Sequence, residues 1–459
     1  MKKGRKKKNF NTTRWIAVGF LLVILWGTIM LSLPVSASDG KATNIIDALF
    51  TSTTSVCVTG LTTVVTATHW SIFGKSVILL LIQLGGLGVI CCMIAVLMLF
   101  RVKLNMREKV MIQESYSFDS IEGMNKIIPR VFKGTMLVEG IGAILYCFAF
   151  IPRYGILKGI WYSVFHSVSA FCNAGIDLIG DSSFISFSNN TWISFVTMFL
   201  IIAGGIGFIV WWDLKAVISE AFKKRKFKGQ LFKRLTIHSK VAITVTIALI
   251  LAGAVLIFAF EYNNVATIGN YSPGEKIVAS LFQSVTARTA GFAGIIQDSF
   301  RLHTYIIIMV LMLIGGSPMG TAGGLKTTTI AMMFICVFSV IRGKRDTEVF
   351  DRRISRDNIR TGLTVVVVGV SILLLGIIAL SITDNFTGIE TSYECVSAIA
   401  TVGLSTGITP MLSTAGKFII IVMMFIGRIG PITIAMAIGG KKINDEDSRQ
   451  LPKKRIIVG

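Results

Sequence analysis

The sequence predicts an all-α polytopic membrane protein: four tandem helix–re-entrant pore loop–helix repeats around a pseudo-fourfold pore, with eight full transmembrane helices. Three observations predict it. Apolar runs long enough to cross a bilayer recur, basic residues gather in five separated clusters, and one small-residue stretch returns four times at near-constant spacing.

Of 459 residues, 53% are hydrophobic and 15% charged, against about a quarter charged in soluble domains. A spanning helix needs about 20 apolar residues. Candidates lie at 15–33, 76–100, 241–260, 304–316 continuing through 327–341, 363–382 and 418–438. The alternation expected of a β-barrel is absent, so the spans are helical. Although 33–38 (LPVSAS) imitates a cleavage site, the first run is too long for a signal-peptide core and is expected to stay as a span. The seven cysteines, among them Cys91-Cys92 and Cys147, read as packing residues, with neither a disulfide framework nor a metal site.

The net charge of +22 resides mainly in segments 1–14, 101–133, 221–240, 341–360 and 441–459, which hold 35 of the 46 Lys and Arg residues. By the positive-inside rule these segments, both termini included, are cytoplasmic. Topology and contact with anionic lipid explain such charge, and no nucleic-acid partner is expected. The chain divides into a basic N-terminus 1–14, repeat A 15–100, repeat B 128–220, repeat C 237–341 with a broken inner helix, repeat D 358–440, and a basic C-terminus 441–459.

The repeated stretch reads DALFTSTTSVCVTGLTTV (47–64), VFHSVSAFCNAGIDL (164–178), LFQSVTARTAGFAGI (281–295) and YECVSAIATVGLSTG (393–407). The aligned glycines Gly60, Gly175, Gly291 and Gly403 are 115, 116 and 112 residues apart, and the third copy is one residue shorter before its glycine. Each copy lies between two apolar runs, on the side away from the basic loops. It is too short to cross, which fits a re-entrant segment. Irregular backbone at membrane depth survives only against protein or a water-filled cavity, and four such segments satisfy one another by converging on one axis.

Each copy ends in a strand: Val58-Thr59-Gly60, Asn173-Ala174-Gly175, Thr289-Ala290-Gly291 and Thr401-Val402-Gly403. Glycine tolerates φ > 0 and lets carbonyls turn to an axis, where they replace the hydration shell of a cation. No carboxylate lies in these strands, so a monovalent cation is expected.

A second glycine layer follows 24 to 30 residues later: Gly85-Gly86, Gly204-Gly205, Gly315-Gly316 and Gly427-Arg428. A charge at the bilayer centre costs roughly 2.5–3.5 kcal/mol on insertion scales. Arg428 is therefore read first as a barrier to cations below the filter, and second as a cap on carbonyls of a neighbouring broken helix. The third inner helix meets Gly315-Gly316-Ser317-Pro318-Met319-Gly320-Thr321-Ala322-Gly323-Gly324, too rich in helix breakers to continue. An intramembrane loop obstructing the pathway is expected there, with Lys326 anchoring it or reaching carbonyl ends. Arg288 and Glu394 are expected to pair as braces. Asp213, Lys215, Trp211 and Trp212 are expected at the interface, and Glu139 has no obvious partner.

These repeats, the broken third inner helix, FIGRIGP (425–431) and TARTAGF (286–292) resemble the Ktr/Trk/HKT superfamily of potassium transporters over about 15–440. Within it the chain looks most like the bacterial Ktr-type membrane subunit, the lack of extra helices before the first repeat arguing for the Ktr branch over the longer Trk branch. The resemblance implies potassium uptake across the bacterial plasma membrane through a homodimer with one pore per protomer. It implies filter glycines at Gly60, Gly175, Gly291 and Gly403, a gate loop at about 315–325 and Arg428 as the barrier. It further implies a cytosolic nucleotide-binding regulatory ring and, in some relatives, sodium-dependent flux. No G-x-G-x-x-G follows a strand here, so nucleotide would act through that partner.

Two other readings compete with this one. A coupled secondary transporter of another small solute predicts inverted repeats and acidic residues at the substrate site. An enzyme needs a nucleophile, a metal or an acid–base pair, and His69, His166, His238 and His303 form no such motif.

Overall fold

A computed structural model describes residues 12–89, 92, 124–180, 183–187, 190–223 and 231–430. The expectations for the basic N-terminus before residue 12, the end of repeat A with Cys91, the parts 101–123 and 224–230 of two basic clusters, Pro431 and the C-terminal segment lie outside the described residues.

Four long helices open the four repeat segments: Thr12–Ser32, Met124–Tyr154, Ile237–Glu261 and Arg356–Thr383. Each is apolar enough to cross a bilayer. A half-span helix follows each: Ile45–Cys57, Ile156–Cys172, Pro273–Thr286 and Gly388–Ile399. At 1.5 Å per residue these reach about 20 Å, short of the roughly 30 Å hydrocarbon core. Their starts are encoded locally. Asn44 caps the first, and capping boxes Ser272/Glu275 and Thr387/Glu390 start the third and fourth, with Pro273 at the first turn of the third.

The second helices are shorter: Ile72–Leu87, Thr191–Gly205, Leu302–Leu313 and Thr414–Ile429. By length and composition the described helices give four spans, or five if the bent pair Thr191–Gly205 and Phe208–Phe222 counts as one. That pair turns by 97°. Trp211, Trp212, Asp213 and Lys215 lie on its second arm. Asp213 accepts hydrogen bonds from the backbone N–H and hydroxyl of Thr236 (2.9 and 2.8 Å), tying this arm to the start of the next long helix.

Packing follows a cyclic order. Each second helix lies on the half-span helix of the next segment, and the fourth returns to the first: 72–87 on 156–172, 191–205 on 273–286, 302–313 on 388–399, and 414–429 on 45–57. In the first three segments a serine of the half-span helix donates to the long helix of its own segment: Ser52 to Ile24 O, Ser167 to Glu139 O and Ser284 to Ile250 O, at 2.6–2.8 Å. Cys395 stands at that place in the fourth.

Candidate ion pathway

The C-terminal ends of the half-span helices bring the four predicted strands together. Each helix gives way to a non-glycine residue in left-handed conformation: Val58 (φ 55°), Asn173 (61°), Thr289 (69°) and Thr401 (51°). Two positions on, the aligned glycines also have positive φ: Gly60 (100°), Gly175 (64°), Gly291 (81°) and Gly403 (95°). Left-handed β-branched residues are genuine outliers, and such strain persists where the surroundings over-determine it.

Those surroundings are the other strands. A Cβ on Gly60 would meet the carbonyl oxygen of Ala174, one on Gly175 that of Ala290, one on Gly291 that of Val402, and one on Gly403 that of Thr59. Each glycine therefore faces the carbonyl preceding the next repeat's glycine, and the fourth faces the first. Glycine is required on both conformational and spatial grounds. All twelve strand residues named from the sequence lie in this ring, and eleven of them are buried. The negative ends of four helix dipoles converge on it, an environment that favours cations.

A hydroxyl braces each strand, and the sequence reading missed all four. Thr54 accepts from Gly60 N–H (2.9 Å) and Ser397 from Gly403 N–H (3.0 Å). Ser169 donates to Ile176 O (2.6 Å) and Thr286 to Phe292 O (2.9 Å). The signal was present: a Ser or Thr stands six residues before the glycine in three copies and five before it in the shorter third copy.

Beneath the ring, Gly85, Gly204 and Gly427 press on the backbone carbonyls of Val56, Phe171 and Ile399, the fourth residue before each strand's glycine. The third segment departs from this. Its second helix stops at Leu313 and the chain runs as a loop to the next helix, Thr327–Ile341. The stem is knitted by Gly315 N–H to Leu325 O, Leu325 N–H to Leu313 O and Thr327 N–H to Gly316 O, each 3.0 Å. Ser317 also bonds Thr327 (2.9 Å).

The loop docks on the broken helix of the second segment. Ser317 N–H donates to Gly205 O (2.9 Å), Thr321 N–H to Gly204 O (3.0 Å), Thr321 Oγ1 to Phe171 O (2.8 Å) and Phe208 N–H to Met319 O (3.0 Å). The 97° bend is thus explained: the carbonyls freed where that helix ends find partners in the loop. Gly320 packs on the same carbonyls, Pro318 O lies against Gly207, and Gly323 abuts Ala400 and Thr401 of the fourth strand. The loop therefore lies directly beneath the ring.

Arg428 and Lys326 reach this loop. Lys326 Nζ donates to Ala322 O (2.7 Å). Arg428 donates to Thr321 O (2.6 Å), to Gly85 O and to Gly86 O (3.2 Å). The carbonyl-capping alternative for Arg428 is the one its hydrogen bonds display, and it links the loop to the C-terminal end of the helix Ile72–Leu87. The expected pairing of Arg288 with Glu394 is corrected. Arg288 Nη2 donates to Gly315 O (3.0 Å), Glu394 accepts from Thr409, and among the described residues no ion pair joins them. A carbonyl stripped of its helical partner was the closer acceptor. Glu139 acquires partners too: it accepts from Gln83 Nε2 (3.2 Å) and lies 3.8 Å from Cys172 Sγ, behind the second strand.

Among the described residues no group of His, Cys, Asp or Glu could hold a metal ion. His166 is buried, its ring between Tyr162 O (2.7 Å) and Leu178 N–H (3.2 Å), a structural setting.

Comparisons with known proteins agree with this architecture. The potassium/sodium uptake protein NtpJ of Enterococcus hirae is 38% identical, covering 100% of this chain and 99% of that one. The Ktr system potassium uptake protein B of Bacillus subtilis is 38% identical over 93% of each. The crystal structure of the potassium transporter TrkH from Vibrio parahaemolyticus superposes with a TM-score of 0.70 over 98% of this chain and 88% of that one; at 15% identity it speaks for the fold alone. The resemblance read from the repeats holds, and the family is one of transporters, not enzymes. With residues 7–444 matched by the model described as TrkH, cation transport protein, the chain belongs to that family.

Proposed function

We propose that this chain is the membrane subunit of a bacterial potassium-uptake system, carrying K⁺ through the ring of Gly60, Gly175, Gly291 and Gly403. The observation that carries the reading is the cyclic contact of each glycine with the carbonyl before the next one. Carbonyl oxygens replace the hydration shell of a monovalent cation, and Val58, Thr59, Asn173, Ala174, Thr289, Ala290, Thr401 and Val402 supply the rest of the lining. The relatives named for potassium uptake, and for potassium and sodium together, support K⁺ as cargo and Na⁺ as a second cation or coupling ion.

In this reading the four segments supply eight spans, both termini are cytoplasmic and the protein works in the plasma membrane as a homodimer. The loop with Gly315, Gly316, Ser317, Pro318, Gly320, Gly323 and Gly324 is the gate. Lys326 stiffens its stem. Arg428 closes it from the opposite side and places positive charge below the filter. Lifting the loop off Gly204, Gly205, Phe171, Phe208 and Arg428 breaks five hydrogen bonds, on the order of 5 kcal/mol at about 1 kcal/mol each. A shift of that size matches what a bound regulator must supply to convert a mostly closed population to a mostly open one. A cytosolic nucleotide-binding ring is the partner suited to this. The name Ktr system of the Bacillus subtilis relative supports a multi-component assembly.

The test is ⁸⁶Rb⁺ and K⁺ uptake in potassium-transport-deficient cells, comparing the native chain with Gly291→Ser. Restored growth at low potassium with the native chain, and lost affinity or K⁺/Na⁺ selectivity with the variant, is the expected result. Equal behaviour of the two would make the glycines packing residues and bring a coupled transporter of another solute forward.

A further inference from the structure

Arg288 occupies a place where its three counterparts are small. Three residues before the glycine stand Cys57, Cys172, Arg288 and Ala400. In the first, second and fourth segments a glycine of the second helix packs straight onto the end of the half-span helix, leaving no room for a long side chain. In the third segment the second helix has ended, and Gly315 lies instead against Gly323 of the loop. The guanidinium reaches across this opening to Gly315 O at 3.0 Å.

Three further observations give this contact meaning. Gly315 begins the loop stem just past the C-terminal end of Leu302–Leu313, the end at which a cation is favourable. Arg288 is 7% exposed, and among the described residues no carboxylate pairs with it. Its side chain, whose Nε bonds no protein atom, lines a small, mainly apolar cavity together with Asn173, Thr246 and Gly316 of the stem. The Asn173 amide, 1% exposed, has neither polar atom bonded to protein, so polar groups without a protein partner meet in this otherwise mainly apolar cavity. Open space therefore lies beside Gly316 of the stem.

We propose that Arg288 is a positioning residue that ties the third filter strand, which begins at the next residue, to the stem of the intramembrane loop. The loop swings about a stem held by Arg288, and the pull on Gly315 is felt one residue from Thr289. This rests on the reading of the loop as the gate.

Amide hydrogen exchange of the full native chain in lipid nanodiscs, with peptides covering 314–327, reads the stem directly. Arg288→Gln removes a charged donor to a buried carbonyl and is expected to speed exchange of the Gly315, Leu325 and Thr327 amides roughly tenfold or more. Arg288→Lys, which keeps a charged donor, is expected to restore most of the protection. If the Gln variant does not reach the membrane, Arg288→Cys, the residue found at this place in the first two repeats, replaces it. Loop exchange unchanged in the Gln or Cys variant overturns the proposal. So does equal acceleration in the Lys variant, which would mean that side-chain volume and not the hydrogen bond matters. Rb⁺ flux measured alongside separates the two readings: faster stem exchange with unaltered flux keeps Arg288 as the tie and removes the loop as the gate.

Discussion

Lys417 Nζ lies 2.9 Å from Asp47 Oδ1, joining residues 370 positions apart. Asp47 sits in the first turn of the first half-span helix and Lys417 in the first turn of the last second helix. Both side chains are less than a fifth exposed. The pair closes the seam between the end of the fourth segment and the start of the first.

Removing either partner leaves the other largely desolvated. Lys417→Met or Asp47→Asn is expected to destabilise the folded protein by about 1–3 kcal/mol. Thermal unfolding in detergent checks it, and the double variant is expected to lose less than the two singles combined. Additive losses would show that the pair is not coupled.

Gly403 and Gly407 have nearly the same φ, 95° and 94°, but Gly403 faces Thr59 O whereas nothing lies near a Cβ on Gly407. Gly407→Ala is expected to cost about 1 kcal/mol in backbone strain and keep uptake. Gly403→Ala is expected to lose Rb⁺ uptake by tenfold or more, on the order of one such strain plus a clash that the ring cannot relax. Uptake assays normalised to membrane protein separate conformation from crowding.

The hydroxyl braces make a second filter prediction. Thr54→Val and Ser397→Ala each orphan a glycine N–H, at about 1–3 kcal/mol. Ser397→Thr keeps the acceptor. Competition of Na⁺ against Rb⁺ uptake is the measurement, with selectivity expected to fall for the first two and to hold for the third.

Thr321→Val removes the hydroxyl bond to Phe171 O while keeping shape. With one of five docking bonds gone, at about 1 kcal/mol, basal flux without any cytosolic partner is expected to rise several-fold. Shortening 316–324 is expected to raise it further, and unchanged flux in both would remove the loop from the gating role.

Much of this was legible in the residues. The four glycines stood out because backbone with positive φ in a crowded ring leaves no room for a side chain, so the same residue recurs in all four repeats. The loop stood out because five glycines and a proline in ten residues cannot stay helical. The bend after Gly205 was hidden, since the groups that satisfy its freed carbonyls come from Ser317 and Thr321. Arg288 was misread because a carboxylate was sought as its partner, whereas the broken helix supplied a carbonyl. Thr54, Ser169, Thr286 and Ser397 escaped notice because serine and threonine also serve as ordinary fillers in membrane helices. Glu139 needed Gln83 of the preceding segment to make sense of it.

The cyclic packing has a consequence for biosynthesis. The first half-span helix emerges from the ribosome early, yet the wall on which it leans, Thr414–Ile429, is made almost last. Until that helix arrives, Asp47 and the outer flank of the first strand face lipid or the insertion machinery. A chain ended after three segments would lack both the wall beside the first half-span helix and the lysine that pairs with Asp47.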